Sequence, residues 1–149
     1  MGLQKQVIEQ MKVAMKAKDT VALTALRALK SAFMIANTQT GTATEISEEE
    51  ALKIIQKQVK QRKDSAAVFT EQKRDDLAKP ELEEATVLEQ FLPEALSEEE
   101  IAKVVAEVIA KTKATGMKDM GKVMGMASKE LAGKADGTTI SAIVKKTLA

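Results

Sequence analysis

The stretch Leu88-Glu-Gln-Phe-Leu-Pro-Glu-Ala-Leu-Ser-Glu-Glu-Glu100 contains the end of one predicted helix and the start of the next. Pro93 ends the first helix, because the residue before a proline disfavours the helical region of the backbone. Ser97 begins the second helix, because its hydroxyl can accept a hydrogen bond from the amide three residues later. We therefore predict two helical domains, residues 1–92 and residues 93–149.

Helical periodicity dominates the N-terminal domain, and strand periodicity is absent from it. A second Ser-Glu-Glu-Glu run at Ser47 repeats the start signal of Ser97, and Asp19 is predicted to cap an earlier helix. Pro80 either opens a helix at its first turn or kinks one that is already running. The threonine-rich residues 38–46 are predicted to form a loop. Four apolar stripes predict four helices. The first helix covers residues 2–17, with the stripe Leu3, Val7, Met11 and Met15, and the second runs from Asp19 to Asn37, with Ala22, Leu26, Leu29 and Phe33. The third covers residues 47–70, with Leu52, Ile55, Val59, Ala66 and Phe69, and the fourth ends at Leu92, with Leu82, Ala85, Leu88 and Leu92.

The C-terminal domain is predicted to hold three shorter helices. Gly133 and the pair Asp136-Gly137 predict a turn before the last helix. The stripes that predict the three helices are Ile101, Val104, Val105, Val108 and Ile109 within residues 97–112; Met117, Met120, Met124 and Ala127; and Ile140, Ile143, Val144 and Leu148. The predicted fold is therefore all-α, with an N-terminal bundle of about four helices followed by a small three-helix tail domain.

The residue inventory excludes several kinds of site. The chain has 149 residues without His, Cys, Trp or Tyr, and its only aromatic residues are Phe33, Phe69 and Phe91. Serine-histidine and cysteine-histidine nucleophile pairs and Cys/His zinc sites are therefore impossible, and base stacking is disfavoured. We expect no catalytic residues, no metal site and no cofactor. No apolar run approaches the roughly 18 residues of a membrane span, so we expect a cytoplasmic protein without a membrane partner.

The charged residues are arranged in blocks. The net charge of the chain is +1, but residues 1–40 carry +4, residues 71–92 carry −4 and residues 117–149 carry +3. A nearly neutral total therefore does not argue against a polyanionic partner.

Two groups of basic residues are candidate phosphate contacts. Those of the tail are Lys118, Lys122, Lys129 and Lys134, which are interleaved with glycines. Those of the helix predicted over residues 47–70 are Lys53, Lys57, Lys60, Arg62 and Lys63. The second group is either the solvent-exposed side of an amphipathic helix or a phosphate-contacting ridge.

Two further patterns have plainer explanations. Residues 116–122 match the phosphate-loop spacing G-x-x-x-x-G-K, but Val123 stands where the Mg²⁺-binding hydroxyl belongs and no strand is predicted before them. We interpret them as the end of one helix and the start of another. The acidic residues between Asp75 and Glu84 point in different directions on a helix, which indicates a solvated face rather than a metal site.

Five segments of the chain resemble the YqeY-like family. They are Leu26-Arg-Ala-Leu-Lys-Ser-Ala-Phe33, Lys57-Gln-Val-Lys-Gln-Arg-Lys-Asp-Ser65, Leu88 to Glu100, Met117-Lys-Asp-Met-Gly-Lys-Val-Met-Gly125 and Gly133-Lys-Ala-Asp-Gly137. The tail is similar to the C-terminal module of the B subunit of the tRNA-dependent amidotransferase, a carbon-nitrogen ligase that uses glutamine as amide donor. The resemblance implies that Lys118, Lys122 and Lys134 contact RNA. It implies packing and turn positions for the glycines Gly121, Gly125, Gly133 and Gly137. Pro93 and Asp136 complete the predicted structural motif.

The resemblance implies a cytoplasmic accessory protein that binds tRNA or a tRNA-bearing complex. Such a protein is associated with amide transfer without an active site of its own. One alternative is a protein-interaction adapter that uses the acidic residues 71–100 and the methionine-rich residues 117–126 and does not bind RNA. Another is a stand-alone amidotransferase, against which the missing nucleophile argues.

Overall fold

The structure, a computed structural model, describes residues 2–39 and 45–149. Within these ranges it contains α-helices, one short 3₁₀ helix and no strand, which confirms the predicted all-α class. The chain divides into two compact units, of which the first ends at Leu92 and the second begins at Pro93. None of the described helices combines the length and the apolar character that a membrane crossing requires.

The N-terminal unit contains four helices: α1 (Leu3–Ala17), α2 (Thr20–Gln39), α3 (Glu48–Glu71) and α4 (Asp75–Glu89). The most extensive packing is between α3 and α4, and α2 lies against both α1 and α4. The buried residues that these helices share are Leu3, Val7, Ala14, Ala22, Ala25, Leu26, Leu29, Phe33, Ala51, Ile55, Val59, Ala85 and Leu88, together with Ile46 and Phe91 outside the helices.

Side-chain caps begin two of these helices where the sequence predicts them. The Asp19 carboxylate accepts a hydrogen bond from the amide of Ala22 at 3.0 Å, at the start of α2. The Ser47 hydroxyl accepts one from the amide of Glu50 at 3.1 Å, at the start of α3. A helix N-terminus leaves amides without partners inside the helix, and each cap satisfies one of them.

The loop predicted over residues 38–46 lies largely outside the described residues. On its near side, α2 continues to Gln39. On its far side, the amide of Ile46 donates to the Asn37 side chain at 2.9 Å, and Ile46 is buried.

For α4 the structure decides between two alternatives and contradicts one prediction. Pro80 lies inside a helix that is already running, because the helix begins five residues earlier at Asp75, and the alternative of a helix start at Pro80 is excluded. Leu82 belongs to the predicted apolar stripe, yet 48% of it is exposed. Ala78 is buried instead, on the side of α4 that faces the core. The apolar pattern thus predicts the helix correctly but misplaces one edge of its buried face.

The C-terminal unit contains α5 (Glu98–Thr112), a 3₁₀ turn (Met117–Asp119), α6 (Met120–Glu130) and α7 (Gly137–Leu148). Each of the three α-helices packs against the other two. The Ser97 hydroxyl caps α5 by accepting from the amide of Glu100 at 3.2 Å, as predicted. The buried residues of this unit are Ile101, Val105, Val108, Val123, Ala127, Leu131, Ile140 and Val144. Met117, predicted to belong to the stripe of α6, is instead 44% exposed in the 3₁₀ turn.

Lysines occupy left-handed backbone positions just beyond the ends of three helices. Lys18 and Lys113 each have φ of 55°, and Lys73 has φ of 59°. Glycine is the usual residue here, because a side chain raises the energy of the left-handed conformation.

We therefore expect Lys18→Gly and Lys113→Gly each to raise the free energy of unfolding by about 0.5–1 kcal/mol. Urea denaturation measures this change. Lys16→Gly is the matched control, because Lys16 lies within the last turn of α1 and glycine there lowers stability. Equal effects at the three positions would contradict the prediction.

Candidate nucleic-acid interface

The four predicted lysine contacts are exposed and lie in or beside α6. Lys118 lies in the 3₁₀ turn, Lys122 and Lys129 lie on α6, and Lys134 lies in the turn that follows it. Residues seven positions apart share a face of an α-helix, so Lys122 and Lys129 project from the same side. Lys118 precedes Lys122 by about one turn. α6 therefore brings Lys122 and Lys129 to one side of the unit, and Lys118 is exposed in the turn just before the helix.

That side of α6 is turned away from the core. The opposite side carries Val123 and Ala127, both fully buried against α5 and α7. Gly121 and Gly125 are exposed and, at 100° per residue, fall beside the lysines. We call Lys118, Gly121, Lys122, Gly125 and Lys129 together the α6 surface.

The lysines of the α6 surface are not neutralised by ion pairs. Throughout residues 2–39 and 45–149, no carboxylate oxygen lies within 4.0 Å of the ammonium groups of Lys118, Lys122 or Lys129. By contrast, Lys111 of the same unit lies 3.5 Å from Glu130. The α6 surface therefore presents positive charge to solvent.

Asp119 directly follows Lys118, and it has a structural role. Its carboxylate accepts a hydrogen bond from the amide of Thr115 at 2.9 Å, which closes the turn before α6. This hydrogen bond lowers the pKa of Asp119, and the charges of Lys118 and Lys122 lower it further. The carboxylate is therefore ionised at neutral pH and holds the turn that carries Lys118.

Gly121 and Gly125 differ from the packing role that the resemblance implied. A Cβ atom built on either residue meets no atom within 4 Å in the described part of the chain. Neither has a positive φ angle. Each glycine inside a helix lowers stability by roughly 0.5–1 kcal/mol relative to alanine. Nothing in the described structure offsets that cost for these two residues.

Gly133 does occupy a position that requires glycine. It is buried in the turn after α6, and its φ of 77° is in the left-handed region. The following residue, Lys134, is held by its backbone, since its amide donates to the carbonyl of Leu131 at 2.9 Å and its carbonyl accepts from the amide of Leu96 at 3.1 Å. The turn therefore holds the backbone of Lys134 in place, and its side chain is exposed.

The pair Asp136-Gly137 begins α7. The carboxylate of Asp136 accepts from the amide of Thr139 at 2.6 Å, so Asp136 is the N-cap and Gly137 is the first helical residue. The sequence predicts a turn here, and the structure adds the reason why the turn ends in a helix.

The basic residues of α3 are largely neutralised. Lys53 and Lys60 each lie 3.1 Å from a carboxylate of the same helix, whereas Arg62 and Lys63 pair with carboxylates of α4. Only 12% of the Arg62 side chain is exposed. These contacts favour the interpretation of this face as an ordinary amphipathic surface over a phosphate-contacting ridge.

The segment with phosphate-loop spacing has the predicted conformation of a helix stop followed by a helix. Gly116 is extended, and the 3₁₀ turn leads directly into α6. The acidic residues of α4 do not converge either, since no three acidic side chains of the described chain are grouped as a metal site requires.

The chain is similar to known proteins. A family model described as Yqey-like protein matches residues 4–148. The chain is 37% identical over 107 residues to "Altered inheritance of mitochondria protein 41, mitochondrial" of Clavispora lusitaniae, covering 70% of this chain and 61% of that protein.

Two further relatives are archaeal proteins, and both are named as subunits of a glutamyl-tRNA(Gln) amidotransferase. The protein of Thermococcus gammatolerans is 38% identical over 73 residues, covering 46% of this chain and 12% of that protein. The protein of Methanobrevibacter smithii is 40% identical over 57 residues, covering 36% of this chain and 9% of that protein. The chain thus spans less than two thirds of the length of each of these relatives.

Proposed function

The chain belongs to the YqeY-like family, and on this premise we propose that it is an accessory protein that binds tRNA through the α6 surface and Lys134. In this proposal it contributes RNA binding to a system of glutamine-dependent amide transfer and has no active site of its own. A tRNA-bearing complex can supply the RNA in place of free tRNA.

The observation that carries this proposal is the unpaired positive charge of the α6 surface. Lysine ammonium groups that contact phosphates release counterions, and this release favours binding to any nucleic-acid backbone. The partial similarity to two proteins named for glutamyl-tRNA(Gln) supports tRNA as the nucleic acid. Lys134 adds a fourth cation from a turn whose backbone is fixed.

The expected binding is electrostatic and depends weakly on nucleotide sequence. The C-terminal unit has no arginine and no aromatic residue, because the arginines are Arg27, Arg62 and Arg74 and the last phenylalanine is Phe91. Bidentate recognition of guanine by arginine and stacking of bases on aromatic rings are therefore impossible in this unit. Lysine contacts to phosphates remain, and they position RNA without reading bases.

We expect the affinity for tRNA to fall linearly in a plot of log K against log salt concentration, with a slope of about −3 to −4 for four lysine contacts. Lys122→Ala should weaken binding several-fold and reduce the magnitude of the slope by about 1. Fluorescence anisotropy of labelled tRNA between low and moderate salt measures both quantities.

Lys57→Ala is the matched control, because Lys57 is an exposed lysine of α3 outside the α6 surface. It should leave the affinity and the slope unchanged. An absence of binding at micromolar protein and low salt would contradict the proposed function. A loss of affinity in Lys57→Ala equal to that in Lys122→Ala would contradict the proposed surface.

A protein-interaction adapter is the second candidate, and exposed methionines favour it. Met117, next to Lys118, is 44% exposed. Met126, one turn after Lys122, is 36% exposed. Flexible methionine side chains suit adaptable protein contacts. Capture of partner proteins from a nuclease-treated lysate separates the two functions. A partner that still binds the wild-type chain after RNA removal, but does not bind the Met126→Lys variant, supports the adapter.

A further inference from the structure

We propose that the outer seam between α1 and α2 is a docking groove for an acidic amphipathic helix of a partner protein. The seam belongs to the N-terminal unit, whereas the α6 surface belongs to the C-terminal unit. This docking site is additional to the proposed function and independent of it. Two stripes of side chains, together called the α1–α2 groove, form it: Lys5, Ile8, Lys12 and Met15 on α1, and Leu23, Arg27, Lys30 and Met34 on α2.

Helix periodicity places each stripe on one side of its helix. Within each stripe, successive members are three or four residues apart, so they lie above one another along the helix. On α1, Ile8 directly follows the buried residue Val7. On α2, Met34 directly follows the buried residue Phe33. Because one residue is a rotation of about 100°, the apolar members lie beside the buried face of each helix rather than opposite to it.

The two stripes border the same seam. The side-chain amide of Asn37, near the end of α2, donates to the side-chain oxygen of Gln4, near the start of α1, at 3.3 Å. The two helices are therefore antiparallel neighbours. Gln4 lies one turn before Ile8, and Asn37 lies one turn after Met34. The hydrogen bond thus shows that the sides of α1 and α2 that carry these apolar residues are turned towards each other.

The apolar residues of the groove are not covered by the described chain. Ile8 is 41% exposed, Met15 is 57% exposed and Met34 is 59% exposed. Among the described helices, α1 packs mainly against α2, so it lies at an edge of the bundle. Exposed apolar side chains that lie together mark interaction surfaces. A seam between two helices can accept the apolar side of a third helix, and methionine side chains adapt to what they contact.

The polar members of the groove are all basic. Lys12 lies 3.1 Å from Glu9 of the same helix. Lys5, Arg27 and Lys30 have no carboxylate oxygen within 4.0 Å in residues 2–39 and 45–149. Residues 1–40 together carry a charge of +4. A helix with acidic residues beside its apolar side therefore complements the groove in charge as well as in polarity.

Other occupants match the groove less well. A second copy that used the same groove would bring two basic surfaces together. RNA phosphates can pair with the basic residues but leave the apolar ones without an apolar contact. A flat bilayer would meet Lys12 first, because Lys12 points about 160° away from the buried Ala14 and Met15 only about 100° away. The apolar side chains thus lie in the seam, where a helix reaches them.

The test uses a synthetic helical peptide as long as α1, with leucines along one side and glutamates flanking them. Methyl NMR of the full chain with labelled isoleucine and methionine shows where the peptide binds, and fluorescence anisotropy of the labelled peptide measures its affinity. We expect dose-dependent shifts of the methyl signals of Ile8, Met15 and Met34. Met117 and Met126 are the internal control, because they are exposed in the C-terminal unit and should not shift.

Reversing the charge of the groove tests its complementarity. We expect the double variant Arg27→Glu with Lys30→Glu to bind the acidic peptide about tenfold more weakly. The same variant should bind a peptide that carries lysines in place of the glutamates. Both residues are exposed, and circular dichroism checks that the variant is folded. Lys57→Glu is the matched control, because Lys57 is an exposed lysine of α3 outside the groove, and it should leave the affinity unchanged.

Four results would overturn the proposal. The first is that the acidic peptide does not bind, and the second is that the lysine peptide binds the wild-type chain equally well. The third is that the peptide shifts methyl signals outside the groove in place of those of Ile8, Met15 and Met34. The fourth is that these three signals shift without peptide, on raising the protein concentration or on adding phosphatidylglycerol vesicles or tRNA. Each case of the fourth result would identify a different occupant: a second copy, a membrane or RNA.

Discussion

Replacing Leu88 by alanine lowers the free energy of unfolding by about 3 kcal/mol. Leu88 is fully buried in the core of the N-terminal unit, where α4 packs against α2 and α3. The truncation removes apolar contacts and leaves a cavity that the surrounding helices fill only in part. Urea denaturation followed by far-UV circular dichroism measures the change.

Leu82→Ala is the matched control for this prediction. It removes the same atoms from the same helix, but 48% of Leu82 is exposed, so little apolar burial is lost. We expect its effect to be less than a third of that of Leu88→Ala. Equal effects at the two positions would show that both leucines are core residues, as the apolar stripe alone predicted.

Replacing Arg62 by alanine lowers the free energy of unfolding by about 2 kcal/mol, because it leaves a poorly solvated carboxylate without its partner. The Nε atom of Arg62 lies 3.2 Å from a carboxylate oxygen of Glu84 and connects α3 with α4. The exposed fractions of the two side chains are 12% and 17%. Arg62 also donates to the side-chain oxygen of Gln58 at 2.6 Å, and this acceptor loses its donor.

Two controls test that explanation. The double substitution of Arg62 and Glu84 by methionine should recover most of the lost stability, since apolar residues can replace a buried ion pair when both charges are removed. Arg74→Ala breaks the exposed pair with Asp76, whose side chains are 55% and 65% exposed, and should leave stability unchanged. Failure of the double variant to recover stability would contradict the explanation.

Local signals predicted the helices well. The caps at Asp19, Ser47 and Ser97 are formed by side chains that reach amides only three residues later, so a few neighbouring residues contain all the information. Helix periodicity likewise depends on residues within a few turns. The family resemblance is confirmed by a match over residues 4–148.

The errors have a common physical cause. An apolar stripe does not show how far neighbouring helices cover it, which is why Leu82 and Met117 were expected in the core and are exposed. Pro80 left two alternatives open, and the turn that precedes it in α4 decides for a proline inside a running helix. Burial depends on contacts between distant segments.

The candidate site could be predicted only in part. The four tail lysines are visible in the sequence, and helix spacing places two of them, Lys122 and Lys129, on one side of α6. The open space around Gly121 and Gly125 is not visible there, because glycines in a motif are equally compatible with close helix packing.

The sequence by itself determined the helical class, the helix starts and the absence of histidine, cysteine, tyrosine and tryptophan chemistry, since these depend on residue types and on short-range hydrogen bonds. Only the tertiary structure decided which charges pair between helices. Arg62 pairs with Glu84 across 22 positions of sequence, whereas the lysines of the α6 surface form no ion pair within 4.0 Å in the described chain. Helix packing brings distant residues together, and it therefore separates the charges that pair between helices from those that stay exposed.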